Sequence, residues 1–144
     1  MKTTILRSSL AALACTAVLA IATPSMAANV NLKADLKGAG EVPPVDSKGA
    51  GSVSATYDTA TKKLSWKGSV SGLSGPATAA HFHAGEAGKN GAVVVPIAGA
   101  ENGSFEGSAT LTDEQATDLM AGKWYVNVHT AANKGGEVRG QVTK

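Results

Sequence analysis

Cysteine, arginine, histidine and aromatic residues are all scarce in this chain. Its only cysteine is Cys15, which excludes an intrachain disulfide framework and a Cys-rich zinc site. Aromatic residues make up 4% of the chain, and 17 glycines accompany them. That balance points to many turns and short strands. The formal charge is only +2, from 13 Lys and Arg against 11 Asp and Glu. This is too little for charge-driven binding to nucleic acid, which needs a strongly basic face. No Gly-x-Ser-x-Gly elbow is present to carry a serine nucleophile. No glycine-rich loop with a following Lys-Ser/Thr is present to cradle phosphates. Internal repeats, charged tails and linkers are also lacking. What is present is a 43% hydrophobic share in 144 residues. That is enough for one domain with a core, and it argues against wholesale disorder.

Residues 1–27 read as a secretory signal. Lys2 and Arg7 form a positive start, Leu10 to Ala22 is an uncharged apolar run, and Ser25-Met26-Ala27 offers small residues for cleavage. The run falls short of the roughly 20 residues a membrane span needs. The competing readings are a membrane anchor, a core helix and a lipoprotein modified at Cys15. Cleavage after Ala27 leaves residues 28–144 as a single domain. It removes Lys2 and Arg7, which account for the whole cationic excess, and it removes Cys15. The mature chain is then neutral and thiol-free, with no membrane span, and is exported to the periplasm or beyond. It must fold in an oxidising compartment without disulfides.

Strand periodicity dominates the mature chain. Val30 to Lys37 alternates apolar and polar residues, the period of a half-buried strand. Ser52 to Tyr57 alternates again, Asp58 to Thr61 reads as a hairpin turn, and Leu64 to Val70 continues beyond it. Further strands are expected at Ala77–His83, Ala92–Ile97, Ser104–Leu111, Trp124–His129 and Glu137–Val142. One helix is expected at Thr112–Ala121. Thr112 and Gln115 form a capping box, Asp113 and Glu114 suit the helix dipole, and Gly122 terminates it. Seven or eight short strands with one short helix indicate an all-β antiparallel sandwich or barrel of Greek-key type.

The placement of the three histidines is more informative than their number. In an extended strand, residues two apart face the same way. His81 and His83 therefore share one face, and Phe82 points to the other. In Trp124–His129, Trp124, Val126 and Val128 form the apolar face, while Tyr125, Asn127 and His129 lie opposite. Two imidazoles at i, i+2 with a third from another strand can hold a transition metal, since neutral imidazole suits copper, zinc, nickel and iron. The plain alternative is three unrelated, hydrogen-bonded histidines. Arg139 is the only arginine left after cleavage. Its planar fork suits an anion, and the alternative is a surface ion pair of little consequence. Glu86 follows His83 by three residues. It reads as an extra ligand, an acceptor behind the ligands, or a plain surface carboxylate.

The mature chain resembles the CHRD domain, a module named after chordin and found in many secreted bacterial proteins. The resemblance rests on Leu36-Lys37-Gly38-Ala39-Gly40-Glu41-Val42-Pro43-Pro44-Val45, Ala79-Ala80-His81-Phe82-His83-Ala84-Gly85 and Asn90-Gly91-Ala92-Val93-Val94. It continues in Gly122-Lys123-Trp124-Tyr125-Val126-Asn127-Val128-His129-Thr130 and Gly135-Gly136-Glu137-Val138-Arg139-Gly140-Gln141-Val142. These stretches occur in family order over nearly all of residues 31–142. Glu41 belongs to the family signature, and Pro43-Pro44 is read as an extended turn serving the fold.

Through that family the chain is distantly similar to the Cu,Zn superoxide dismutases. The likeness implies a dismutase-like barrel in which His81, His83 and His129 bind copper and Arg139 guides an anion such as superoxide. It does not extend to the zinc site. No fourth histidine is present, and the only aspartates between His83 and His129 are Asp113 and Asp118, in the expected helix. The segment Thr130 to Lys134 is also too short for a long electrostatic loop.

Three functions stand open on the sequence. One is a copper protein that dismutates superoxide. Another is a non-catalytic copper or zinc carrier. The third is a metal-free extracytoplasmic binding or structural module with an unnamed protein partner. A cupin also carries His-x-His, but Glu86 follows too closely and the Pro-x-Gly of its second motif is missing before His129.

Overall fold

Alternation of apolar and polar residues sets the architecture from the first strand. The computed structural model describes residues 27–144; the expected leader, with Cys15, lies outside these except for Ala27. In β1 (Asn29–Lys37), Leu32, Ala34 and Leu36 are buried, while Asn31, Lys33 and Asp35 face solvent. β2 (Ala50–Asp58) and β3 (Lys63–Ser71) repeat the pattern with Val53, Ala55 and Tyr57, then Leu64, Trp66 and Val70. The turn between them is closed by Asp58, whose Oδ1 accepts from the Ala60 and Thr61 amides at 2.8 and 3.1 Å.

The remaining elements are β4 (Ala77–Ala84), β5 (Val93–Ile97), β6 (Ser104–Thr110), α1 (Asp113–Met120), β7 (Trp124–Thr130) and β8 (Val138–Gln141). All neighbouring strands are antiparallel, in the order β5-β4-β7-β8-β1-β2-β3-β6. The order is no simple meander: β3 pairs with β6, β4 with β7, and β1 with β8. The two end strands, β5 and β6, approach each other without forming a ladder, so the sheet curls into a nearly closed barrel. This is the all-β barrel with one short helix that the sequence pattern predicts.

The core fills the barrel with Leu36, Leu64, Phe82, Trp124, Val126, Val128 and Val138, each 0% exposed. Phe82 meets Trp66 edge to face at 5.1 Å and tilts against Trp124 at 5.9 Å. Helix α1 starts where expected. The Thr112 hydroxyl accepts from the Gln115 amide at 3.2 Å, and the Gln115 side chain accepts from the Thr112 amide at 3.0 Å. Some strand ends are shorter than predicted. β8 begins at Val138 rather than Glu137, because Gly136 (φ 130°) bends the chain just before it.

The β4–β7 register places the functional face. Ala79 pairs with His129, His81 with Asn127, and His83 with Tyr125. On the other flank of β7, Asn127 pairs with Arg139 of β8. With Phe82, Val126 and Val138 turned into the core, the intervening side chains share the outer face of β4-β7-β8.

Candidate metal centre

His81, His83 and His129 converge on this outer face. One ligand-capable nitrogen from each lies within 4.8 Å of the other two. The ring centroids of His81 stand 5.6 Å from His83 and 5.1 Å from His129, and those of His83 and His129 are 6.4 Å apart. His83 is buried, and His81 and His129 are half-buried. A bulge against β5 between Phe82 and His83 lies beside the site; such irregularities commonly re-aim a side chain.

Backbone carbonyls set two of the three tautomers. His83 Nδ1 lies 2.9 Å from the Gly91 carbonyl, and His129 Nδ1 lies 2.9 Å from the Lys134 carbonyl. A carbonyl only accepts, so each Nδ1 carries a proton, and in the neutral ring each Nε2 keeps its lone pair. The buried Nε2 of His83 has no hydrogen-bond partner among the described residues. His81 Nδ1 lies 3.2 Å from His129 Nε2, and with both rings neutral and His129 protonated at Nδ1, His81 is the donor. Burial, followed by the neighbouring imidazoles, lowers the pKa of His81. Burial also lowers that of His83, against the opposing hydrogen bond that its Nδ1 donates to the Gly91 carbonyl. Both rings are therefore held neutral near pH 7, the state in which imidazole ligates metal.

Arg139 stands behind this cluster rather than in it. It is 2% exposed, and no carboxylate lies within salt-bridge distance of it among the described residues. The surface ion pair considered for it does not form. Its Nη2 donates to the carbonyls of Lys89 and Glu86 at 2.7 and 3.4 Å, and its Nη1 donates to Asn90 Oδ1 at 3.0 Å. Its Cζ sits 3.4 Å from the Tyr125 ring centroid, a cation–π contact. Tyr125 in turn stacks on His83 at 4.7 Å with the planes 8° apart. The order β4-β7-β8 puts His83 and Arg139 on opposite sides of that ring. Glu86 is an exposed carboxylate paired with Lys89 at 2.7 Å; it is no part of the cluster.

Sequence reasoning missed Tyr125, Asn127 and Glu41 as members of the site. Tyr125 had a signal, since it shares the β7 face with His129. Glu41 reaches the site from the loop after β1. It is 6% exposed, its Oε1 is unpartnered among the described residues, and burial raises its pKa to about 7 despite Arg139 and Asn127. Gly136 permits this approach, because a Cβ there would overlap Glu41 Oε1 and the Asn127 amide.

A family model for the CHRD domain matches residues 32–142. The chain belongs to the CHRD domain family. The match takes in the three histidines, Tyr125, Arg139, Glu41 and Glu137. No curated protein and no solved structure matches the chain. The CHRD assignment thus agrees with the expected family, and the site's chemistry rests on its own geometry.

Proposed function

We propose that this CHRD protein is exported and holds a copper ion through His81, His83 and His129. The observation that carries this reading is the convergence of three imidazole nitrogens within 4.8 Å. The unpartnered, buried Nε2 of His83 supports the fit, because a buried acceptor without a partner is uncommon and costly. His81 and His129, whose Nδ1 and Nε2 stand 3.2 Å apart, would both hold the cation. The donor set is all nitrogen, with no thiolate, and divalent copper outranks zinc at such donors. Gly91 and Lys134 orient two of the rings from behind, as metal-ligating histidines require. The leader pattern in residues 1–27 supports export.

Superoxide dismutation at the same site is the catalytic version of this reading. Bound copper supplies one-electron redox chemistry. The partial exposure of His81 and His129 gives a small anion access from solvent. Steering that anion is the role the family resemblance implies for Arg139, yet its Nη atoms already serve carbonyls and an amide oxygen. That engagement favours a carrier.

Calorimetric titration of purified mature protein with Cu(II) tests the proposal. One equivalent should bind, with zinc weaker, and His81→Ala or His129→Ala should lower affinity at least ~10-fold. Wild-type protein that takes up no copper ends the reading. Superoxide decay with the copper-loaded protein, with excess EDTA present to silence free copper, separates the two versions: sustained turnover means a dismutase, and none with copper still bound means a carrier.

A further inference from the structure

The segment Gly85–Gly91 runs across the outer face as a strap between β4 and β5, and its last residue orients His83. Gly91 offers its carbonyl to His83 Nδ1 at 2.9 Å, and its amide donates to the Tyr125 hydroxyl at 3.1 Å. Glycine is required there, because a Cβ would overlap the Ala84 carbonyl. The strap itself is short of regular hydrogen bonds, and side chains tie it down. Arg139 takes the Glu86 and Lys89 carbonyls and the Asn90 side chain. Asn90 Nδ2 reaches on to the Val42 carbonyl at 2.8 Å, and Gln141 Nε2 holds the Gly85 carbonyl at 2.9 Å.

We propose that Arg139 is a positioning residue for His83. It fixes the imidazole by two routes: the Arg139–Tyr125–His83 stack, and the strap that brings the Gly91 carbonyl to Nδ1. The inference deepens the metal-site reading, since it takes His83 as a ligand, but the orientation of the ring exists without metal. Three features carry it. The guanidinium is buried and has no carboxylate partner within salt-bridge distance among the described residues. Three hydrogen bonds, two of them to backbone carbonyls, account for both Nη atoms. The face of Tyr125 that Arg139 covers is opposite the one that covers His83. An arginine used to draw anions to the metal would instead present free Nη donors to the open side of the triad. Lysine could not replace it, because a single ammonium cannot both stack on the ring and bridge separated acceptors.

Nitrogen-detected NMR of the histidine rings in metal-free protein tests this directly. Wild-type His83 should show a single tautomer, protonated at Nδ1, with a slowly exchanging ring proton. Arg139→Ala and Arg139→Lys should both mix the tautomers and speed that exchange. Copper affinity should fall ~10- to 100-fold in both, the range for losing a partner that orients a ligand. Tyr125→Phe keeps the stack but loses the hydroxyl contact with Gly91, so it should give a smaller change in the same direction. Azide binding to copper-loaded protein reads the competing role. Wild-type His83 tautomer and copper affinity in Arg139→Lys, with azide affinity reduced in Arg139→Ala, would overturn the proposal in favour of anion guidance. If wild type binds no copper, the ring measurements in metal-free protein still decide the positioning role.

Discussion

Glu137 is 0% exposed and carries its charge without a salt bridge among the described residues. Burial alone would raise its pKa, but hydrogen bonds outweigh it and hold the pKa at about 2. Oε1 accepts from Ser47 Oγ at 2.7 Å and the Ser74 amide at 2.8 Å. Oε2 accepts from Ser74 Oγ at 2.5 Å, Thr130 Oγ1 at 2.7 Å and Asn133 Nδ2 at 3.2 Å. One carboxylate thus pins three loops at the end of β7. Since the folded pKa lies below the ordinary 4.5, this group stabilises the fold above pH 4.5. The contribution is roughly 3 kcal/mol, at 1.36 kcal/mol per unit, and is lost as pH falls from 4.5 towards 2. Glu137→Gln should cost about 3 kcal/mol at pH 7, because an amide nitrogen replaces an acceptor facing donors. Urea melts of wild type and variant at pH 7 and pH 3 check this: the gap should shrink at pH 3, and a constant gap would contradict the assigned pKa. The hub was not legible in the sequence. Glu137 resembles any charged residue after two glycines, and its donors come from positions as distant as Ser47. His81 and His83 were legible as a pair because period two alone puts them on one face. Their meeting with His129 depends on the β4–β7 register, which local periodicity does not encode.

Whole elements were easier to read than the segments between them. Alternation marked the strands, and the capping box marked α1, because both signals are local and repeat within a few residues. The strap Gly85–Gly91 has no period. Its path is set by Arg139 and Gln141, about 50 residues away in sequence. Replacing Gly91 with alanine should therefore act on the strap as a unit. The new Cβ overlaps the Ala84 carbonyl, so the backbone must shift and withdraw the acceptor from His83 Nδ1. Copper affinity should drop by about 10-fold or more, as for other lost orienting partners. Thr112→Ala is the matched control. It removes the α1 cap at a cost of about 1 kcal/mol, and it should lower thermal stability while leaving copper affinity unchanged. Equal affinity losses in the two variants would mean that general destabilisation, rather than the strap, governs the site.

On the scale of the whole barrel, two buried carboxylates bias folding in opposite directions across the pH range. Glu137 favours the folded state once ionised. Glu41 does the reverse: burial pushes its pKa up to about 7, and neither the Arg139 charge nor the Asn127 side chain offsets this. The unfolded chain releases that proton near 4.5 and the folded chain near 7, so between these values the folded state binds more protons. Stability attributable to Glu41 therefore falls as pH rises from 4.5 to 7, by roughly 3 kcal/mol in all. Glutamine mimics the protonated acid and does not titrate. Metal-free Glu41→Gln should thus differ little from wild type at pH 4.5 and gain on it steadily up to pH 7.5. Subtracting the two urea-melt series removes the histidines and every other shared titrating group. A difference that stays flat between pH 4.5 and 7.5 would show that Glu41 ionises like a surface carboxylate. A rising difference would mean that the barrel accepts a cost in stability to keep an acidic group buried against Asn127, on the face that carries the histidines.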